Sequence, residues 1–266
     1  MFSSNLFRQR KVLLRSLHIE ASVKAASRSI IDGLSQDPGI AIIPNFFQSS
    51  NSISNSNDEL SNVKPHICTQ LRQEATNFYN NGQFRISQST RPVIKSGAYT
   101  SEVEYYDKEN VYSMAVHYPE YSNEAQQLQK YCNEMAESIV PLINQHFVGK
   151  IKLDNPAEKT HVVNKLAVVT GNGGGYEPHI DGHGEGDTRK LTVILYLNPN
   201  WTIENGGQFR VHNPMSDPTV SPLIDPIADT LVLFWSDQLL HSTLPSFSKG
   251  GDNEHRYALT LWLTGV

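Results

Sequence analysis

Residues 19–35 place apolar side chains at Ile19, Val23, Ala26, Ile30 and Leu34, the spacing that gives a helix one apolar face. Asp37-Pro38-Gly39 ends that pattern with turn residues. The apolar run 40–47 predicts a short strand, and the Ser/Asn-rich run 48–62 has no periodicity and predicts a flexible loop. A second helix is predicted over 66–79. The clearest helix covers 122–147, with Leu128, Cys132, Met135 and Ile139 on one stripe. Pro141 is expected to kink or end it near Val140, because proline lacks the N–H that the helix needs. Beyond residue 160 the apolar period falls to two. Strands are predicted over 162–170, 190–198, 207–212, 230–236 and 256–263, with Gly/Pro/Asp loops between them. The pattern is α+β: N-terminal helices supporting a C-terminal β-sandwich or barrel, as one domain. Its parts are a basic segment with the first helix (1–35), a helical support region (36–160) and a β core (161–266).

Composition narrows the function classes. The 266 residues are 38% hydrophobic and 18% charged, ordinary for a folded globular chain. A net charge of −5 provides no general basic field for nucleic acid. Two cysteines, Cys68 and Cys132, are too few for a disulfide framework or a cysteine-type zinc site. No apolar run approaches the ~20 residues of a membrane span. The charge is uneven: residues 1–31 hold six Lys/Arg and one acid, Glu20, and the remainder carries −10. The first 19 residues have no acid, and leucine and phenylalanine interleave with arginine and serine. That is transit-peptide composition, so a mitochondrial location stands beside the default cytoplasmic or nuclear one.

The candidate chemistry starts at His179-Ile180-Asp181, behind the loop Gly171-Asn172-Gly173-Gly174-Gly175-Tyr176. Residues two apart on an extended segment project from one face. Such a pair is common by chance and carries little alone. His241 follows 60 residues after Asp181, just behind a predicted strand. Two imidazoles and a carboxylate without thiolate are a facial set that suits Fe(II) and leaves positions open. Arg256 opens the last strand and shares a face with Ala258, Thr260 and Trp262. An inward guanidinium needs a buried anion. A dicarboxylate held on the metal by one end would supply it, and so would an internal acid.

The stretches 171–181, 194–201, 206–211, 224–241 and 256–262 (GNGGGYEPHID, ILYLNPNW, GGQFRV, IDPIADTLVLFWSDQLLH, RYALTLW) resemble, in order and spacing, the prolyl 4-hydroxylase branch of the Fe(II)/2-oxoglutarate dioxygenases. Within it the chain is most similar to the hypoxia-inducible-factor-type prolyl hydroxylases. The resemblance implies a double-stranded β-helix (a jelly-roll, cupin-like barrel) with Fe(II) bound by His179, Asp181 and His241. By position, Arg256 and Tyr196 would hold the far carboxylate of 2-oxoglutarate, and Arg189 would stand near the substrate entrance. The implied activity is hydroxylation of prolyl residues in a protein or peptide, with O2 as cosubstrate, succinate and CO2 as coproducts and ascorbate as reductant. No nucleic-acid or membrane partner is implied. Trp262 and Trp235 are read as core residues, and His183 as an exposed histidine without a counterpart.

The chain departs from the hypoxia-type pattern at Val169, where a cosubstrate-contacting tyrosine is expected. It departs again in the stretch between His241 and Arg256, and over 84–112, which has no residue-level match. Two further readings therefore stay open: a 2-oxoglutarate oxygenase acting on another side chain or a small molecule, and a non-catalytic metal-binding barrel. Zinc hydrolysis explains no inward Arg256.

Overall fold

The structure is a computed structural model, and it describes residues 3–47, 67–95, 98–116, 123–159, 162–182, 186–212, 222–248, 251 and 254–266. The predicted loop over 48–62 and His183 lie outside the described residues.

Helix α1 runs over Ser3–Ser35 and buries Ile19, Val23, Ala26, Ile30 and Leu34, the predicted stripe. It packs on α3 (Gln126–His146) and on strand β1 (Ile40–Ile43). Helix α2 (Ile67–Asn80) buries Cys68, Leu71, Ala75 and Phe78. Glu74 on α2 accepts from the backbone N–H groups of Gln127 and Leu128 at 2.9–3.1 Å, so a carboxylate from one helix caps the start of the other. α3 runs through Pro141 to His146, so the proline does not end the helix near Val140. Pro141 and Glu137 both face solvent, so the Glu137 carbonyl that proline leaves without a helical partner is open to water. No helix is long and apolar enough to cross a membrane among the described residues. Cys68 and Cys132 are buried thiols, neither in a disulfide.

The rest is antiparallel sheet. The major sheet joins β4 (Val163–Val169), β6 (Arg189–Tyr196), β9 (Leu231–Trp235) and β11 (Arg256–Thr264) to β1 at one edge. At its other edge stands a long hairpin, β2 (Arg85–Lys95) and β3 (Ala98–Met114), giving the order β1-β9-β6-β11-β4-β3-β2. The minor sheet has the order β5 (Tyr176–His179), β10 (His241–Thr243), β7 (Phe209–Val211), β8 (Leu223–Ile224). One apolar core, including Leu166, Val168, Leu259, Leu261 and the stripes of all three helices, fills the space between major sheet and helices. A smaller one, with Ile194, Tyr196, Phe209, Phe234 and Ala258, lies between the two sheets. Each central strand serves both cores through its alternation, as read for β11.

The hairpin adds two strands to the region 36–160, which was expected to hold only helices and the short strand over 40–47. Its side chains are mostly polar on both faces, as in Glu104, Tyr105, Tyr106, Asp107, Lys108 and Glu109, so no apolar alternation marks it. Its register comes from pairing with β4, where Val111 faces Val169 and Met114 faces Leu166.

Candidate active site

The minor sheet brings the two histidines together. His179 ends β5 and His241 begins β10, and the two are cross-strand partners with ring centroids 4.3 Å apart. Asp181 lies just past the end of β5. Its Oδ1 stands 3.5 Å from His179 Nε2 and 4.0 Å from His241 Nε2. One donor atom from each of the three lies within 4.8 Å of the others, and no other such group of three occurs among the described residues.

Second contacts orient each donor. The Nδ1 atoms of His179 and His241 lie 2.7 and 3.0 Å from the carbonyls of Glu177 and Leu239, each two residues upstream. A carbonyl can only accept, so Nδ1 carries a proton and Nε2 is the ring atom turned toward Asp181. The His241 ring stacks on Phe209 at 4.9 Å and touches Phe234. Burial there pushes His241 down to about 4, against the opposing pull of Asp181, so it is neutral at neutral pH. On Asp181, Oδ2 accepts from Thr192 Oγ1 at 2.8 Å and from Trp262 Nε1 at 3.1 Å. Burial opposes its ionisation, but His179, the nearby His241 and these two donors together hold the carboxyl well below the usual range. Two imidazoles that present Nε2 and an ionised carboxylate, with no thiolate, form a donor set that fits a divalent iron.

The triad lies in a cavity of about 870 Å3 between the sheets. Arg256, Ala258, Thr260 and Trp262 line it, the predicted inner face of β11, together with Ile194 and Tyr196 from β6. Arg256 is 5% exposed. Its Nε donates to the Gly207 carbonyl at 2.7 Å, and its guanidinium lies 5.1 Å from the centroid of the Tyr196 ring. No carboxylate reaches ion-pair distance of it among the described residues. Gly207 sits at φ 72°, and a Cβ there would come within 2.7 Å of Arg256 Cδ. The Tyr196 hydroxyl is buried and finds no hydrogen-bond partner among the described residues. A buried guanidinium beside a buried hydroxyl, with no carboxylate of the described residues at ion-pair distance, is an arrangement that fits the carboxylate of a ligand.

Arg189 also lines the cavity but spends its guanidinium on Asp187 at 2.6–3.2 Å, above the Trp262 ring. Trp235 is a core residue, with Nε1 donating to the Leu34 carbonyl. Trp262 corrects the core reading: it is half-buried in the cavity wall and holds Asp181. Its shared face with Arg256 was the available signal. Thr192, Tyr176, Lys108 and Lys165 also line or support the site and went unread. Thr192 shares a strand face with Tyr196, but a threonine in an apolar strand carries no mark of its own. Val169 is buried at the end of β4, opposite Arg256.

Residues 164–264 match the model of the 2OG-Fe(II) oxygenase superfamily. The hypoxia-inducible factor prolyl hydroxylase of Caenorhabditis elegans is 36% identical over 128 residues, which is 47% of this chain and 16% of that one. Prolyl hydroxylase EGLN3 of Mus musculus is 39% identical over 99 residues, 36% of this chain and 38% of that one. The chain therefore spans less than two fifths of the length of these relatives. In structure it resembles a Trichoplax adhaerens prolyl hydroxylase solved with a hypoxia-inducible factor peptide, at TM-score 0.64 and 26% identity, covering 90% of this chain and 88% of that one. A Pseudomonas putida prolyl-4-hydroxylase shares the fold at TM-score 0.61 and 20% identity, covering 90% and 98%. The two-sheet architecture is thus the double-stranded β-helix, supported by N-terminal helices.

Proposed function

We propose that this chain, which carries a 2OG-Fe(II) oxygenase domain over residues 164–264, hydroxylates prolyl residues of a protein or peptide at the expense of 2-oxoglutarate and O2. One observation carries the reading above the others. Arg256 is buried in the same cavity as the three donors, and no described carboxylate answers it.

In this reading His179 Nε2, His241 Nε2 and Asp181 Oδ1 hold Fe(II). The carbonyls of Glu177 and Leu239 keep both imidazoles in the ligating tautomer. Thr192 and Trp262 occupy Asp181 Oδ2 and so leave Oδ1 for the metal. Arg256 and Tyr196 take the far carboxylate of 2-oxoglutarate. The Gly207 carbonyl fixes the guanidinium through Nε and leaves its terminal nitrogens free to grip that carboxylate. Ile194, Phe209 and Ala258 provide an apolar wall that excludes water from the bound cosubstrate. Bound together, Fe(II) and 2-oxoglutarate supply the oxidation: O2 is consumed, succinate and CO2 form, and one oxygen atom enters a substrate C–H bond. Ascorbate would be the external reductant that keeps the iron ferrous. Arg189 stands where it can meet the substrate. A protein substrate is supported by the peptide bound in the Trichoplax adhaerens relative.

The test is anaerobic. Fe(II) and then 2-oxoglutarate are added to the purified protein, and the weak visible charge-transfer band of a chelated keto acid is recorded. We expect the band in the wild type, and we expect Arg256→Ala to need at least tenfold more 2-oxoglutarate, as loss of charge-assisted hydrogen bonds of roughly 1.5–3 kcal/mol implies. A folded wild type without the band overturns the proposal.

A further inference from the structure

A second cationic cluster faces the same cavity from β3 and β4. Lys108 and Lys165 both line it. Their ammonium groups lie 4.5 and 5.3 Å from the centroid of the Tyr176 ring, so the two converge on one aromatic platform at the start of β5. Lys165 Nζ donates to Ser87 Oγ on β2 at 3.0 Å. Neither ammonium has a carboxylate within ion-pair distance among the described residues. Of the acids on β3, Asp107 and Glu109 are exposed on the outer side; Glu104 shares the strand face of Tyr106 and Lys108 but is itself exposed and stands opposite Arg91 in the hairpin. Burial and the neighbouring Lys108 push Lys165 down to about 8, against the attraction of Asp181. The pair is therefore strained by its own charge and still cationic at neutral pH.

The balance of charge around the cavity makes this pair unusual. Arg189 is neutralised by Asp187. In the reading above, Asp181 is committed to the metal and Arg256 to 2-oxoglutarate. Glu177, the other acid that lines the cavity, is exposed, and Lys108 and Lys165 remain as two half-buried cations without an ion-pair partner among the described residues, whose mutual repulsion an incoming anion would relieve. They sit beside Gln88, Ser89, Thr90, Tyr105 and Tyr106, a polar and aromatic wall formed by the hairpin. The β2 strand of that hairpin is the edge of the major sheet. A wall of this kind, offering hydrogen bonds and aromatic faces, suits an extended peptide.

We propose that Lys108 and Lys165 form an anion subsite that selects a peptide substrate carrying an aspartate or glutamate beside the residue to be oxidised. The proposal rests on the oxygenase reading for its account of the cavity, but its test does not depend on turnover. Fluorescein-labelled peptides with a central proline are made in two series. In one a single aspartate is walked through the flanking positions; in the other asparagine replaces it. Binding to the full chain with Fe(II) and 2-oxoglutarate is followed anaerobically by fluorescence anisotropy. We expect aspartate at one or two positions to bind about tenfold tighter than asparagine, a preference that shrinks as salt is raised. Lys165→Met and, separately, Lys108→Met should each reduce the aspartate/asparagine ratio to within about threefold, and Lys165→Arg should keep part of it. The ratio is internal to each variant, so a general loss of binding does not imitate the effect. Lys108, on the edge hairpin, guards against a folding defect of the β4 variant. Equal or immeasurable binding of both series by the wild type, or an unchanged ratio in both methionine variants, overturns the subsite. The charge-transfer band in the same samples separates the two ideas. A missing band defeats the oxygenase reading, whereas a band without aspartate preference defeats the subsite alone.

Discussion

Asp181 Oδ2 is the end point of a short relay of donors. Thr192 Oγ1 gives its one hydroxyl hydrogen to that oxygen, so the 2.8 Å contact between Thr192 and Ser236 has Ser236 as donor. Removing the relay with Thr192→Val frees Oδ2 to compete with Oδ1 and removes a partner that holds the carboxylate. We expect Fe(II) affinity to fall about 10–100-fold, the usual cost of losing a contact behind a ligand, measurable by anaerobic titration. Tyr196 gives a test in which two readouts move in opposite directions. Its buried hydroxyl has no partner among the described residues, and an unpaired buried polar group costs about 1–3 kcal/mol. Tyr196→Phe should therefore leave the melting temperature of the ligand-free protein unchanged or higher, while 2-oxoglutarate binding weakens about tenfold or more. A variant that melts lower and binds 2-oxoglutarate normally would assign Tyr196 to the core alone. At this scale the sequence was informative where chemistry is rare in strands, as with His179, Asp181, His241 and Arg256. It was silent where the same work is done by common residues, Thr192 and Trp262, whose partners lie 11 and 81 residues from them.

Strand alternation determines which side chains reach the cavity. On β11, Tyr257, Leu259 and Leu261 enter the helix-side core, and Arg256, Ala258, Thr260 and Trp262 enter the cavity. A slip of one residue would exchange the two sets. The register is held on both sides: Trp262 pairs with Thr192 on β6 and with Val163 on β4. The same pairing places the two donors to Asp181 side by side. Near Arg256 the backbone comes close because position 207 has no side chain. Gly207→Ala forces an L-residue into φ 72° and drives a methyl group against the Arg256 side chain. We expect a loss of about 1–3 kcal/mol in urea unfolding together with weaker 2-oxoglutarate binding, since the clash displaces the guanidinium. The amphipathic helices and apolar strands were legible because each buries one face. The β2–β3 hairpin was not, because it borders solvent and a polar cavity and its pattern has no apolar face to reveal.

The whole molecule joins two sheets through a site that is held open by buried polar groups, and its stability should carry that signature. Burial holds His241 at about 4 in the folded chain, whereas an unfolded histidine titrates near 6.5. The unfolded state therefore takes up the proton first as pH falls. Stability is fully present above about 6.5 and is lost between there and about 4, by roughly 3 kcal/mol at ~1.4 kcal/mol per unit. Asp181, whose folded carboxyl is depressed, adds a loss in the same direction only below the ordinary carboxylate range. Urea unfolding of the metal-free protein from pH 7 to 4.5 should show this slope, and His241→Leu should flatten it. A wild-type profile as flat as the variant's would mean that His241 is not held neutral by its surroundings.

The sequence by itself determined the helices with one apolar face, the buried strands and the identity of the chemically distinctive residues, because burial periodicity and rare polar side chains are local properties. It also determined that Arg256 shares a face with Ala258, Thr260 and Trp262, since strand alternation follows from backbone geometry. Only the tertiary structure decided that His179 and His241 are cross-strand partners and that Thr192 and Trp262 share one carboxylate oxygen. It alone brought Lys108 and Lys165 from separate strands to the same tyrosine ring. Those relations depend on sheet order and register, which are set by the packing of distant strands and leave no mark within any one of them.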